Sequence, residues 1–313
     1  TTFLITIPNP LDLFTPYTTI SYLSSFLLSK NKNNEIIVWT SFKDEYEELS
    51  KLHTHKKIFA DFSFEKLNFS MDLDSSIAKA SVIILAVPSN AIREVLEKLK
   101  DKLSKQILIF VSKGLEKDTM KRSSEIAEEL EISNHYGVLA GPTFAKDMLK
   151  EIPIGFTLAT KEENVSNIVK EIFINTKVEI ETTNDIVGVE YCGCIKNVLA
   201  IITGYFYTKE KSSSSRAAFF TKVAKEEARL LELLGGNKTT LYTFAGIGDL
   251  LLTATSNESR NFSYGEALAN NLINDKLTTV EGKKTYQSLI NLIPNEELKD
   301  SLLITYSYLF KEG

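Results

Sequence analysis

Two runs in the first half of the chain, Ser81-Val82-Ile83-Ile84-Leu85-Ala86-Val87 and Gln106-Ile107-Leu108-Ile109-Phe110-Val111, are apolar at consecutive positions rather than alternate ones. A strand buries both faces only when helices cover both sides of its sheet, so these runs call for a parallel sheet in an α/β layer. Helical patterns follow each run, over Asn90 to Leu99 and Ser123 to Leu130. Phe3 to Ile7, Glu35 to Trp39, Tyr136 to Ala140 and Gly155 to Thr160 read as further strands. Thr18 to Leu28 reads as a helix with Pro16 near its start, where a missing N–H costs little. Such alternation means βαβ units with right-handed crossovers.

The pattern changes near Glu181. Val187 to Tyr205 is long and apolar on most sides. Arg216 to Leu234 is amphipathic, led by Ser212 to Ser215 and stopped by Gly235-Gly236. Gly265 to Asn270 and Leu298 to Phe310 are also helical in pattern. The expected fold class is α/β, a doubly wound parallel sheet over residues 1–182 followed by an all-helical domain over residues 183–313.

Charge and cysteine usage narrow the function classes. Lys and Arg number 36 against 41 Asp and Glu, a net charge of −5, which gives no electrostatic footprint for nucleic acid and no polybasic membrane patch. Only Cys192 and Cys194 are present, two apart on a helix, so they face different ways and read as small core residues. His53, His55 and His135 are not spaced as a zinc site. No unbroken apolar run reaches the roughly 18–20 residues of a membrane span, so no membrane insertion is expected. The first residues show no basic region and no cleavage site, so they do not read as a signal peptide, and a cytoplasmic setting is expected.

The turn after the first strand would hold a dinucleotide pyrophosphate in a doubly wound sheet. Here it reads Pro8-Asn9-Pro10-Leu11-Asp12-Leu13-Phe14-Thr15-Pro16-Tyr17, with three prolines and no glycine. Prolines lack the N–H groups that cradle phosphate, and Asp12 would repel it. The acid that grips a ribose, about 20 residues on, is not fixed either, although Asp44 is placed to serve.

The helical half holds the residues suited to chemistry. On a helix, Gly193, Lys196, Ala200 and Gly204 share a face, which leaves room beside the lysine in apolar surroundings. Desolvation would lower its proton affinity toward general acid–base use, unless the side chain snorkels to solvent. Asp249, after Ala245-Gly246-Ile247-Gly248, would pair with Lys196 or cap a helix. Ser259, Arg260 and Asn261 open a helix and suit a phosphate, or a plain capping turn. Ser112-Lys113-Gly114 and Gly141-Pro142-Thr143-Phe144-Ala145 leave strands at their C-terminal ends, where ligands sit in open α/β sheets.

At these residues the chain resembles the NAD(P)-dependent glycerol-3-phosphate dehydrogenases of bacterial type, from about Val82 to Phe310 in collinear order. The resemblance is carried by Ala86-Val87-Pro88-Ser89, Ser112-Lys113-Gly114-Leu115-Glu116, Gly141 to Ala145, Gly188-Val189-Glu190 and Lys196-Asn197-Val198. It continues in Ala245 to Leu250, Ser259-Arg260-Asn261 and Val280-Glu281-Gly282. It implies a Rossmann-like first domain, NAD or NADP as cofactor, and hydride transfer between the nicotinamide and C2 of glycerol 3-phosphate or dihydroxyacetone phosphate. By the same resemblance Lys196 exchanges the proton of the C2 oxygen, Asp249 holds and tunes it, and Lys113 contacts substrate and nicotinamide. Arg260 and Asn261, with Ser259 and Asn197, bind the substrate. Gly141, Thr143 and Ala145 line the site, and Glu281, Arg260 and Trp39 lie toward the cofactor. A small phosphorylated substrate and a homodimer through the helical domain are implied partners.

Three departures accompany the resemblance. The family's glycine-rich loop is absent at Pro8 to Tyr17, and the basic residue expected after Trp39 is replaced around Ser41. A glycine-rich turn is replaced over Tyr205 to Ser215. Two functions follow as alternatives: an active dehydrogenase with a rebuilt cofactor loop, or a relative that keeps the fold and phosphate site without dinucleotide binding.

Overall fold

The computed structural model describes residues 2–6, 31–54, 63–133, 135–144, 147, 152–272 and 280–310. The loop Pro8 to Tyr17 and the expected helix Thr18 to Leu28 lie outside the described residues. The chain divides into two compact units. The first comprises Thr1–Ser112, Ser123–Leu139 and Thr143–Thr182. The second comprises Lys113–Arg122, Ala140–Pro142 and Thr183–Gly313.

The first unit is built on one eight-stranded sheet. Its strands are β1 (Thr2–Thr6), β2 (Glu35–Trp39), β3 (Asn68–Ser70), β4 (Val82–Leu85), β5 (Ile107–Phe110), β6 (Tyr136–Ala140), β7 (Ile154–Ala159) and β8 (Val178–Thr183). Their order is β3-β2-β1-β4-β5-β6-β7-β8, and the pairings from β3 to β6 are parallel. The chain therefore starts mid-sheet, grows outward through β2 and β3, then crosses back to β4. That reversal beside β1 is the topological switch point of a doubly wound sheet.

The consecutive apolar runs became the central strands because every residue of β4 and β5 is buried. Ile84 pairs with Ile5 on one side and Ile109 on the other. Val82, Ile84, Ile107 and Ile109 join Leu158, Val165 and Val169 in one apolar cluster. Val165, Val169 and Ile172 come from the helix Glu163–Ile172, whose spacing of four and three presents one stripe to that cluster. The helices Lys43–Leu52 and Leu73–Lys79 and the strands β3 and β8 were not expected from the sequence. β3 is three residues long, and β8 reads Val-Glu-Ile-Glu-Thr-Thr with partly exposed residues throughout. An edge strand carries no buried run to announce it.

The second unit is helical among the described residues. Its helices are α1 (Ile186–Lys209), α2 (Ser213–Leu233), α3 (Asp249–Thr255), α4 (Arg260–Ala269) and α5 (Glu281–Leu292), with short turns at Asn295–Leu298 and Leu302–Thr305. α1 is long and apolar enough, by length and composition, to cross a membrane, yet 94% of its apolar window is buried inside the protein. It is the core helix of this unit, contacted by α2, α3, α4 and α5. Asp185 starts it by accepting from the Gly188 N–H at 2.9 Å. Ser212 caps α2, and Gly235, with φ of +85°, follows its end. The expected helix Leu298 to Phe310 is instead broken into short turns. Ser301 leaves the helical conformation, caps Leu303, and donates its hydroxyl to the buried carboxylate of Glu226. Satisfying that carboxylate outweighs the continuity of a helix.

Candidate active site

A trio of charges, Lys196 and Asp249 buried and Lys113 partly buried, forms where α1, α3 and the segment Lys113–Arg122 meet inside the second unit. Lys196 lies in the middle of α1 and is 6% exposed, so it does not snorkel. Its Nζ donates to Asp249 Oδ1 at 2.5 Å and to Thr253 Oγ1 at 3.0 Å. Lys113 Nζ donates to the other carboxylate oxygen, Asp249 Oδ2, at 2.6 Å and to the Gly141 carbonyl at 3.3 Å. Asp249 therefore binds one ammonium on each oxygen. It opens α3 after a turn, Phe244–Gly248, that kinks at Gly246 (φ −86°, ψ −107°), and Gly248, not Asp249, is the cap. Asp249 and Thr253 are four apart and so face Lys196 together.

Lys113 is held in place by its own segment. The bare face of α1 at Gly193 lies against its stem, where an added Cβ would be 3.4 Å from Lys113 Cγ. At the other end of the segment Arg122 donates to the buried Glu190 of α1 at 2.9 Å and stands over the Tyr191 ring at 5.5 Å. These contacts place Lys113–Arg122 with the helices rather than with the sheet.

Proton affinities in the trio are set by opposing forces. Burial pulls the Lys196 ammonium down to about 8, and the charge of Lys113 adds to that, against the pull of Asp249. Burial works against the Asp249 carboxylate, but Lys113 and Lys196 together outweigh it and hold the carboxyl below its ordinary value. One ion pair thus lowers the acid without raising the base, because burial and a second cation both penalise the lysine's charge. The result is a lysine that can exchange a proton near neutral pH beside a carboxylate that stays ionised.

A second polar group adjoins the trio through Asn197. Its Nδ2 donates to Gly193 O and to Glu281 Oε2, each at 3.3 Å, and its Oδ1 accepts from Asn261 Nδ2 at 3.0 Å. Asn261 Oδ1 accepts from the Gly282 N–H at 3.0 Å. Because Glu281 and Gly282 are neighbours, the bonds close a ring that ties α1, α4 and α5. Ser259 caps α4 through the Phe262 N–H at 3.3 Å and is buried, while Arg260 is exposed at the first helical position. The amides of Asn197 and Asn261 are thus held by each other and by the helix starts rather than left as open donors.

The remaining residues singled out in the sequence fall elsewhere. Gly141 supplies its carbonyl to Lys113. Thr143 and Trp39 belong to the first unit, and Trp39 ends β2 and donates its indole N–H to Met71 O at 3.2 Å. Ala145 lies outside the described residues. Cys192 and Cys194 are free and fully buried, as core residues would be. Thr253 was missed although its i+4 spacing from Asp249 was readable. Glu227 was missed too: it sits fully buried on α2 within the field of Asp249 and Lys196. Its signal was a charge four residues from Val223 and Leu231 on an apolar stripe.

Comparison with known proteins agrees with this architecture. Residues 23–166 match the model of the NAD-dependent glycerol-3-phosphate dehydrogenase N-terminus, and residues 185–310 that of its C-terminus. A glycerol-3-phosphate dehydrogenase [NAD(P)+] of Staphylococcus epidermidis is 32% identical over 297 residues, covering 91% of this chain and 89% of its own. One from Staphylococcus aureus is 33% identical over 280 residues, 85% of this chain and 83% of its own. The crystal structure of glycerol-3-phosphate dehydrogenase from Coxiella burnetii superposes with a TM-score of 0.82 at 25% identity, over 99% of this chain and 94% of that one. The fold is thus that of a two-part protein with a doubly wound sheet and a helical half. The chain belongs to the NAD-dependent glycerol-3-phosphate dehydrogenase family.

Proposed function

We propose that this protein is an oxidoreductase that interconverts glycerol 3-phosphate and dihydroxyacetone phosphate with NAD or NADP, and that Lys196 moves the proton. The observation that carries this reading is the buried Lys196, bound to Asp249 at 2.5 Å and drawn down to about 8. Its relatives are named for the same conversion.

The sheet topology suits a dinucleotide, while the turn that would hold its pyrophosphate, Pro8 to Tyr17, lies outside the described residues. The sheet has its switch point beside β1, where such cofactors lie outside the carboxyl ends of strands. The Lys113 cation at the C-terminal side of β5 suits an acidic, phosphorylated ligand. When bound, the nicotinamide supplies or accepts the hydride at C2 of the substrate. Asp249 and Thr253 take two N–H directions of Lys196, which leaves its third for the C2 oxygen. In ketone reduction the Lys196 ammonium gives its proton to that oxygen. In alcohol oxidation the free amine takes the hydroxyl proton. Asp249 stays ionised in both directions and keeps Lys196 oriented. Lys113 adds positive charge where the oxygen becomes negative. Arg260, exposed at the start of α4, binds the substrate phosphate together with that helix N-terminus. The ring of Asn197, Asn261 and Glu281 keeps α4 and α5 in register with Lys196. The sequence of the turn Pro8 to Tyr17, which lies outside the described residues, is the feature that speaks for a relative without dinucleotide binding; no observation among the described residues adds to it.

The test is oxidation of NADH and of NADPH by the purified protein, dependent on dihydroxyacetone phosphate, with Lys196→Ala as the blank. Turnover well above the blank is expected, about 10²–10⁴-fold as for loss of a general acid. Equal rates in the two proteins would remove Lys196 from the mechanism.

A further inference from the structure

The segment Lys113–Arg122 carries a cation at each end, and each cation meets a carboxylate of the helices. Lys113 Nζ donates to Asp249 Oδ2 at 2.6 Å, and Arg122 Nη1 donates to Glu190 Oε2 at 2.9 Å. The proposed mechanism uses the first pair and leaves the second without a task. Yet the second pair is largely buried, with the Arg122 side chain 11% exposed and that of Glu190 6%. An ion pair taken out of water gains little over apolar side chains of the same volume. What it fixes is geometry. The guanidinium is a planar fork, and Arg122 is constrained twice, by the Glu190 carboxylate and by the Tyr191 ring 5.5 Å away.

The structure between the two cations links their positions. The Glu116 N–H donates to Lys121 O at 2.9 Å, and the Met120 N–H donates to Glu116 O at 2.8 Å, so the segment closes on itself. Leu115 lies in the apolar cluster of the helical unit with Tyr191, Cys194 and Ile195. The backbone of Gly114, with φ of +128°, hydrogen-bonds the Cys194 sulfur. On α1, Glu190, Gly193 and Asn197 recur at spacings of three and four and so share a face. That face grips Arg122 at Glu190 and, one turn on, receives the Lys113 stem at Gly193. Lys113 itself is a point charge on a flexible stem, so its reach to Asp249 depends on where the backbone starts it.

We propose that Arg122 and Glu190 are positioning residues of the site: their pair sets the place from which Lys113 reaches Asp249, and they act through Lys113 rather than on the substrate. This rests on the function proposed above. With the pair intact, Lys113 stands beside Asp249 and brings its charge to the oxygen that becomes negative. With the pair broken, the segment keeps its fold but loses its register on α1, and that charge is misplaced.

The experiment is a double-mutant cycle. kcat and KM for dihydroxyacetone phosphate are measured in the wild type, Glu190→Gln, Lys113→Met and the double variant, with Tm read on the same preparations. Glu190→Gln is expected to lose about 10²-fold in kcat, the effect of a small misplacement at the reacting centre. Its KM changes little, because Arg260 on α4 holds the substrate phosphate. Lys113→Met is expected to lose about 10²–10³-fold, as for removal of one preorganised charge. The double variant should be no slower than Lys113→Met alone, since the pair then has nothing to position. A wild-type kcat in Glu190→Gln, or losses that multiply in the double variant, overturns the proposal, because a merely structural role adds its own loss. If Glu190→Gln does not fold, Arg122→Lys, which keeps the charge and loses the fork, carries the same cycle. A wild type that does not turn over dihydroxyacetone phosphate overturns the proposed function instead. The Tm values then decide: changes that fail to add in the double variant uphold the link between the two pairs, and changes that add overturn it.

Discussion

Asp249 holds the chemistry of the site together, because each of its oxygens neutralises a different lysine. Asp249→Asn would leave the buried Lys196 and the partly buried Lys113 as two cations with no carboxylate between them. The charge and the hydrogen bond with which Asp249 raises the Lys196 ammonium would vanish, and its proton affinity would fall below about 8. The ammonium population at pH 7 would then drop, so reduction of dihydroxyacetone phosphate is expected to slow by about 10²–10⁴-fold. The pH–rate profile of the residual activity should move to lower pH, because the base form persists further into the acid range. An unmoved profile would mean that Asp249 does not tune Lys196. The sequence offered the pairing of Lys196 with Asp249 beside a helix-cap reading and could not choose on spacing alone: the two residues are 53 positions apart, and the packing of α3 on α1 joins them.

At the scale of elements, α1 works because its neighbours can approach its backbone. A Cβ on Gly265 of α4 would lie 2.0 Å from Ile201 O and 2.8 Å from Tyr205 N, and one on Gly204 would lie 2.1 Å from Phe262 O. Backbone cannot step aside as a flexible side chain can, so Gly265→Val is expected to cost about 3 kcal/mol, the upper end for overpacking. A lower denaturant midpoint with an unchanged slope would show it. Because α4 begins at Arg260, the surviving folded protein should also show a raised KM for glycerol 3-phosphate. What could be read from sequence follows the same logic. β4 and β5 announced themselves because burial on both faces forces an unbroken apolar run, and α1 because a core helix is apolar on most sides. β3 and β8 did not, since half-exposed edge strands tolerate polar residues. The C-terminal pattern misled because the buried Glu226 draws Ser301 out of the helix, a contact between positions 75 apart. Glu227 and Thr253 lay in plain spacing, but their meaning depends on which helix each one faces.

At the scale of the whole molecule, the sheet and the helices keep separate apolar clusters, and the two halves of the chemistry divide along the same line. The switch point belongs to the sheet, while the Lys196–Asp249–Lys113 trio belongs to the helical unit. Binding of dinucleotide and transfer of the proton should therefore be separable by mutation. A ligand that binds only the folded chain stabilises it by about 2.7 kcal/mol at a hundred times its Kd. That corresponds to a Tm rise of several degrees for a chain of this size. The wild type and Lys196→Ala are both expected to show this rise with NADH or NADPH, although only the wild type turns over. The dinucleotide giving the larger rise at equal concentration identifies the preferred cofactor without relying on rates. A rise lost in Lys196→Ala would make the lysine part of cofactor binding and would end the division argued here. No rise in either protein with either dinucleotide would show that the proline-rich turn Pro8 to Tyr17 has cost the fold its cofactor.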